Sequence, residues 1–172
     1  MYENIFLETP RLVIKTTDMK DFCALRMLQK DDHVMEFFDA PRSEFRITAN
    51  IHKIYNHLLK YDFAQGPVFH KETREFIGRA GLTHLDFKDT PDVELGYFLL
   101  EEYWNQGYGT ELADALIKFA FNKLDSIKVY ATIDPKNIAS IKVSEKIGML
   151  LEKEDTYETH NKQVRFYVKH RE

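Results

Sequence analysis

The sequence predicts an α/β protein in which one central sheet packs against helices, and three observations support this class. Short apolar runs with strand periodicity alternate along the chain with longer segments of helical periodicity. A turn that contains Gly107 and Gly109 separates an extended apolar run over 93–100 from a strongly periodic helix. Hydrophobic residues make up 44% of the 172 residues, with 13 Phe and 9 Tyr, which is typical of a globular protein with a substantial core. Because no repeat, low-complexity segment or linker interrupts the pattern, we expect one domain over 1–172.

The N-terminal half predicts strands and helices in alternation. Residues 12–16 alternate as a strand, and Asp18 can cap a helix over 19–28 because its carboxylate can accept a first-turn N–H. A short element over 34–38 precedes a long helix over 45–61, whose apolar residues recur on one side. Two further strands are predicted over 68–70 and 75–84, joined by a turn over 71–74.

The C-terminal half continues the same alternation. A strand over 93–99 places Leu95, Tyr97 and Leu99 on one face, with Glu94, Gly96 and Phe98 on the other. A helix over 108–124 carries an apolar stripe that would pack on the sheet. The remaining predicted elements are a strand over 128–133 and strands over 150–158 and 163–170 around a turn at 160–162.

The glycine turn has the chemistry of an anion site. The first N–H groups of a helix have no partner inside the helix, and the helix dipole adds partial positive charge there. Gly107 and Gly109 allow close approach of the main chain to a ligand. The sequence therefore predicts that backbone amides from Gln106 to Thr110 hold a pyrophosphate; the alternative is a glycine cap that binds no ligand.

The spacing argues against two common nucleotide motifs. A P-loop requires Lys and then Ser or Thr after its last glycine, whereas Thr110 and Glu111 follow Gly109. A dinucleotide fingerprint requires a third Gly or Ala where Leu112 stands. A nucleotide-binding oxidoreductase is thus disfavoured.

Three segments resemble the signatures of the GNAT acetyltransferases, in the same order along the chain. Tyr-Trp-Asn-Gln-Gly-Tyr-Gly-Thr-Glu over 103–111 resembles their acyl-CoA motif, and Asn-Ile-Ala-Ser over 137–140 resembles their second signature. Thr-Pro-Arg-Leu-Val-Ile-Lys over 9–15 is similar to the opening of the RimJ/RimL branch, which acetylates the N-termini of ribosomal proteins. The resemblance implies a mixed, mostly antiparallel sheet of about seven strands and about four helices, with splayed strands at a coenzyme A cleft.

The resemblance also implies acetyl-CoA as cosubstrate and assigns residues to its binding. The backbone of Tyr97, Phe98 and Leu99 would hydrogen-bond the pantetheine arm, and Asn137 would contact the same arm; an Asx turn or helix cap is the alternative for Asn137. The residues that would bind the cosubstrate are Tyr97, Phe98, Leu99, Asn105, Gln106, Gly107, Tyr108, Gly109, Thr110 and Asn137.

For catalysis, the resemblance implies that Ser140 serves as partner of the coenzyme A sulfur, the alternative being an ordinary first-turn serine. Many relatives instead place a Tyr four positions later, where this chain has Ser144, and some place a Glu where it has Thr132. We nominate Glu94 as general base, directly or through water, with His84 and Asp86 in reserve. A solvent-facing carboxylate is the alternative for Glu94. Acetyl transfer requires no metal.

Composition limits the partners. The net charge of −4 and the absence of a basic block argue against nucleic acid. The single Cys23 excludes an internal disulfide, and its helix position predicts a buried thiol. Without a long apolar segment or a leader pattern, we expect a cytoplasmic protein that does not bind a membrane, monomeric or homodimeric. The acceptor would be an amine on a protein N-terminus or a small molecule; a non-catalytic acyl-CoA-binding module is the alternative function.

Overall fold

The computed structural model of the protein describes residues 3–38, 43–85, 92–157 and 162–171. Eight strands form one sheet in the order β1-β2-β3-β4-β5-β6-β8-β7, one strand more than expected. The strands are β1 Ile5–Glu8, β2 Leu12–Lys15, β3 Gln65–His70, β4 Phe76–His84, β5 Val93–Leu99, β6 Lys128–Ile133, β7 Leu150–Tyr157 and β8 Lys162–His170, and the helices are α1 Phe22–Lys30, α2 Glu44–Tyr61, α3 Tyr108–Lys123 and α4 Ile138–Lys146.

The pairing of β5 with β6 shapes the centre of the sheet. Every other neighbouring pair is antiparallel, whereas β5 and β6 run parallel and, within the described ranges, pair at Val93–Val129 and Glu94–Tyr130. Beyond Glu94, β5 keeps its partner β4 as far as Leu99 but has no register partner in β6. The two strands therefore diverge from Leu95 onward, as the predicted splayed strands require.

The two faces of the sheet carry different helices. On one face, Leu112 and Leu116 of α3 and Ile141 of α4 join the main core with buried residues of the central strands. On the other face, Leu25 of α1 packs with Ile47 and Ile51 of α2. The sheet thus separates a layer containing α3 and α4 from a layer containing α1 and α2.

Most predicted elements are confirmed within a few residues, and the strands over 93–99 and 128–133 match at both ends. Asp18 caps as predicted, since its side chain accepts from the Lys20 N–H, although the first turn after it is a 3₁₀ turn and α1 begins at Phe22. The strand β1 was missed. The proposed element over 34–38 is wrong, because these residues form turns.

Two other expectations need comment. The prediction that Cys23 is buried is wrong: the thiol lies on the exposed side of α1, because Leu25 and Leu28 supply the buried face of that helix. The turn predicted at 160–162 falls mostly outside the described residues, and Lys162 already begins β8.

Candidate active site

A cavity of ≈ 920 Å³ opens where β5 and β6 diverge. Its lining combines both layers of the molecule. Gln29 of α1 and Asn50 of α2 contribute from one layer, and Gly107 and Ser140, at the starts of α3 and α4, contribute from the other. The cavity therefore connects the predicted pyrophosphate turn with the opposite side of the sheet.

The turn before α3 has the backbone geometry of an anion site. Gly107 is the N-cap residue and has φ 80°, and Asn105 has φ 59°, so both lie in the left-handed region. In the described structure no side chain caps the helix at Gly107. The amides of Tyr108, Gly109 and Thr110 therefore start a 16-residue helix without a side-chain acceptor, which is the arrangement that favours a phosphate.

A polar cluster anchors this turn from the N-terminal strands. The Glu111 carboxylate accepts from the Thr9 hydroxyl at 2.6 Å, the Arg11 N–H at 2.9 Å and Arg11 Nε at 2.7 Å. Arg11 Nη1 also donates to the Gln106 carbonyl at 3.0 Å, and its guanidinium lies 4.3 Å from the centre of the Tyr108 ring. Glu111 and Arg11 thus hold the turn against β2.

Hydrogen bonding controls the ionisation of Glu111. Burial alone would raise the pKa of this carboxyl. The bonds from the Thr9 hydroxyl and from the backbone and side chain of Arg11 outweigh burial, so the pKa lies below its usual value.

The Tyr97 side chain links β5 to the starts of both α3 and α4. A Cβ on Gly109 would lie 3.1 Å from the Tyr97 ring, so a larger residue there would require that ring to shift. The Tyr97 hydroxyl donates to Ser140 Oγ at 3.4 Å. Burial raises the pKa of the Tyr97 phenol, and contact with Ser140 offsets part of that rise. A protonated phenol therefore stands beside the Ser140 hydroxyl in the cavity lining.

Asn137 caps α4. Its Oδ1 accepts from the Ser140 N–H at 3.0 Å, which confirms the helix-cap interpretation. This bond uses the oxygen of the carboxamide and leaves the Nδ2 hydrogens for a ligand in the cavity, which Asn137 also lines.

The free edge of β5 lies in the same cavity. Tyr97, Phe98 and Leu99 line it beyond the last β6 pair. The Trp104 indole donates to the Leu99 carbonyl at 2.7 Å. This bond attaches the segment that leads into the glycine turn to the end of β5.

Glu94 lies at the point where the strands part. It pairs with Thr83 of β4 and Tyr130 of β6, is half-buried and lines the cavity. Thr132, further along β6, has a buried Oγ1 without a hydrogen-bond partner in the described structure and also lines the cavity.

The reserve base His84 lies elsewhere. It is absent from the described cavity lining, and its ring packs 4.4 Å from the Tyr61 ring. His57 accepts from the His84 backbone N–H through Nε2 at 3.0 Å, so its Nδ1 donates to the Phe63 carbonyl at 2.7 Å. Burial lowers the pKa of His57, and this pair therefore fits a structural role. The other reserve residue, Asp86, lies outside the described residues.

On the α1 and α2 side, the cavity contains a buried cation that the sequence analysis did not single out. Arg79 of β4 is 4% exposed, and its guanidinium lies 4.3 Å from the centre of the Phe98 ring. Its Nη1 donates to Asn50 Oδ1 at 3.2 Å, whereas Nε has no partner. Burial lowers the pKa of Arg79 to about 10, so the side chain is charged at neutral pH.

Two classes of site have no counterpart in the described structure. Among the residues at 3–38, 43–85, 92–157 and 162–171, no group of three or more His, Cys, Asp or Glu side chains is arranged to hold a metal ion. Over those ranges, no helix has the length and apolarity needed to cross a bilayer.

Residues 11–150 match the family model described as the acetyltransferase (GNAT) domain. Two Bacillus subtilis (strain 168) proteins are similar along most of the chain. The uncharacterized protein YkkB is 29% identical over 162 residues, 94% of this chain and 93% of YkkB. The uncharacterized N-acetyltransferase YnaD is 29% identical over 144 residues, 83% of this chain and 81% of YnaD.

Solved structures share the fold. The acetyltransferase from Agrobacterium tumefaciens str. C58 superposes with a TM-score of 0.80 at 25% identity, over 99% of this chain and 98% of that one. RimL, the ribosomal L7/L12 alpha-N-protein acetyltransferase in complex with coenzyme A, superposes with a TM-score of 0.78 at 16% identity, over 96% and 97% of the two chains.

The fold and these matches define an acyltransferase. Because the family model spans most of its length, the chain belongs to the GNAT family of N-acetyltransferases.

Proposed function

We propose that this chain transfers the acetyl group of acetyl-CoA directly to a primary amine, on a protein N-terminus or a small molecule. One observation supports this most strongly: the uncapped start of α3 lines the same cavity as Ser140 and Glu94. RimL, which shares the fold, is an alpha-N-protein acetyltransferase, and the RimJ/RimL-like opening segment agrees with an α-amine acceptor.

In this proposal the cosubstrate follows the divergence of β5 and β6. The turn from Asn105 to Thr110 binds the pyrophosphate through backbone N–H groups. The free edge of β5 at Tyr97, Phe98 and Leu99 hydrogen-bonds the pantetheine arm, and Asn137 donates to it through Nδ2. The residues present fit the group, because no side chain caps the helix that begins after Gly107 in the described structure and the Asn137 cap uses only Oδ1.

The reaction requires a neutral amine. A lysine-like amine with a pKa near 10.4 is neutral in about one molecule in 2,500 at pH 7, which costs about 4.6 kcal/mol, whereas an α-amine with a pKa near 7.8 costs about 1 kcal/mol. Glu94 is the proposed base, directly or through one water, because it is the carboxylate at the point where the strands separate. A base matters most for a strongly basic acceptor.

The departing sulfur requires a proton donor. As the amine nitrogen forms its bond to the carbonyl carbon, the C–S bond breaks with its electron pair on sulfur. Ser140 donates its hydroxyl proton to that sulfur, and the Tyr97 hydroxyl, which already donates towards Ser140 Oγ, passes its own proton to the serine. Tyr97 then recovers a proton from solvent in the cavity after the thiol leaves. The proton that the amine loses goes to Glu94 or its water, so one proton is taken up and one is delivered.

Thiol release with acetyl-CoA and a panel of amines tests the proposal. Ser140→Ala should lower kcat more than it lowers coenzyme A affinity, and Glu94→Gln should lower kcat/KM most for the amines of highest pKa. Ser126→Ala and Glu145→Gln are matched controls, since neither residue is among the described cavity lining. Full activity of both Ser140→Ala and Glu94→Gln would remove the proposed roles.

The departures at Ser144 and Thr132 favour a second candidate, an acyl-CoA-binding module without catalysis. Such a protein would bind coenzyme A with micromolar or better affinity and release no thiol with any amine. The same assay, combined with calorimetry, therefore distinguishes the two functions.

A further inference from the structure

The acceptor side of the cavity contains buried polar groups that the fold leaves without partners. Arg79 and Gln29 are each 4% exposed, and Arg79 Nε and Gln29 Nε2 have no hydrogen-bond partner in the described structure. Both side chains line the cavity, and both unsatisfied atoms are donors. The same lining also contains two buried oxygens without a partner, Gln65 Oε1 and Thr132 Oγ1, neither of which carries a charge. Buried donors are costly unless an acceptor meets them.

Arg79 is also unbalanced in charge. It forms no ion pair with any described carboxylate, and burial is the one cause that lowers its pKa. Its contacts are the neutral Asn50 carboxamide and the face of Phe98, which is itself 4.7 Å from the Phe38 ring. A buried cation without an anion is unfavourable in a folded protein unless a ligand supplies the anion.

Arg79 and the proposed base lie on the same face of the sheet and line the same cavity. Glu94, Gly96 and Phe98 share one face of β5, and Phe98 pairs with Arg79 while Gly96 pairs with Gly81. The Gln65 side chain crosses this part of the sheet, because a Cβ on Gly96 would lie 2.7 Å from Gln65 Nε2 and Gln65 itself pairs with Gly81. At about 3.4 Å per residue, the Cα atoms of Glu94 and Phe98 lie about 14 Å apart along β5.

We propose that Arg79 binds an anionic group of the acceptor, and that the acceptor is therefore an amine that also carries a carboxylate or a phosphate. This inference rests on the proposed acetyl transfer. The amine points towards Glu94 and the splayed strands, and the anion lies at Arg79, with Gln29 as a second donor. Coenzyme A does not explain Arg79, because Phe98 and Arg79 face the α1 and α2 layer whereas Tyr97 faces Gly109 and Ser140.

The test compares amines that differ only in the anion. Glycine, β-alanine and γ-aminobutyrate are each assayed against their methyl esters, phosphoethanolamine against ethanolamine, and spermidine serves as a polycation. We expect at least a tenfold higher kcat/KM for the anionic member of a pair, although the less basic amine of an ester is more often neutral. The carboxylate series and the phosphate pair identify which anion is bound. Esters equal to or better than acids, or spermidine as the best substrate, would overturn the inference.

Variants of Arg79 identify the residue responsible. Arg79→Met should reduce the acid-to-ester ratio to near one, and Arg79→Lys should retain part of it. Arg165→Met is the control: this partly buried arginine pairs with Glu154 outside the described cavity lining, and its loss should leave the ratio unchanged. Calorimetry with coenzyme A gives an independent measurement. A tenfold loss of coenzyme A affinity in Arg79→Met would show that Arg79 serves the cosubstrate instead, and would refute the inference.

A binding measurement separates this inference from the proposed function. Phosphate and similar anions stabilise proteins non-specifically relative to chloride, so the readout is the difference between two proteins. At equal ionic strength, acetate or inorganic phosphate should raise the melting temperature of wild type more than that of Arg79→Met. Thiol release without any preference for anionic amines would support the proposed acetyl transfer and refute the anion site. Anion stabilisation that requires Arg79, without thiol release from any amine, would support the anion site and refute the proposed acetyl transfer.

Discussion

Glu111→Gln tests whether the hydrogen-bonded cluster behind the glycine turn stabilises the folded protein and also supports cosubstrate binding. The substitution keeps the shape of the side chain and removes its charge. The carboxylate accepts three bonds, from the Thr9 hydroxyl and from two donors of Arg11, and its side chain is 14% exposed. Each bond to a charged group contributes about 1.5–3 kcal/mol when buried. Because Arg11 is 43% exposed and water can solvate it, we expect a net loss of about 2 kcal/mol.

For a chain of this size, 2 kcal/mol corresponds to a melting temperature lowered by about 4–8 °C. The effect depends on pH with a definite sign. The folded-state pKa of Glu111 is lowered, so its contribution is present above the unfolded pKa of about 4.3 and is lost as pH falls through the folded pKa. The difference between wild type and Glu111→Gln should be largest near pH 7 and should shrink below about pH 4.

Urea unfolding at pH 7 and at about pH 3 measures the free energies, and calorimetry measures coenzyme A affinity. Affinity should fall, because Arg11 would no longer be fixed between Glu111 and the Gln106 carbonyl. Asp114→Asn is the matched control: this carboxylate lies on the exposed face of α3, paired with Lys118, and should change stability by less than about 0.5 kcal/mol. A Glu111→Gln protein as stable as this control at pH 7 would refute the reasoning.

Three further outcomes follow from the site. Gly107→Val should cost about 1–2 kcal/mol, since φ is 80° there, and should weaken coenzyme A binding at least tenfold by calorimetry; unchanged affinity in the folded variant would contradict the phosphate turn. Tyr97→Phe should lower kcat severalfold with little change in KM in steady-state assays, and an unaltered kcat would exclude Tyr97 from proton supply. In urea unfolding, Arg79→Met should be as stable as wild type or up to about 2 kcal/mol more stable. A pKa lowered to about 10 implies that burying the Arg79 charge costs about 3 kcal/mol, which exceeds what the contacts with Asn50 and Phe98 contribute. Strong destabilisation would indicate a structural arginine.

Local patterns in the chain were sufficient for most of the fold. The strands β5 and β6 are predicted to the residue because both are apolar runs bounded by turn residues. The strand β1 was missed because four residues at the edge of a sheet give too short a pattern. The element over 34–38 was mispredicted because Val34 and Met35 are buried from a turn, beside Leu28 and Phe98, which periodicity cannot detect.

The candidate site divides in the same way. The glycine turn and the Asn137 cap depend on neighbours in the chain, so spacing alone predicts them. Arg79 was missed because its role depends on its surroundings in the fold, which the sequence does not show. It contacts Asn50 and Phe98, and no described carboxylate pairs with it. The contact of Tyr97 with Ser140 joins positions 43 apart. For Arg79, the available signal in the sequence was a basic residue in the middle of the mostly apolar strand Phe76–His84.

The two-residue seam between β5 and β6 has a mechanical consequence. Among the described residues, the antiparallel strands on either side of it are joined through the sheet by two pairs, Val93–Val129 and Glu94–Tyr130. A pantetheine chain that hydrogen-bonds to β5 would add a connection between the two parts of the sheet while the cosubstrate is bound. It would thereby reduce the motion of one part relative to the other. Amide hydrogens near the β5–β6 pairs would then exchange with solvent more slowly when the cosubstrate is bound. The two parts of the sheet would be most mobile before binding and after product release.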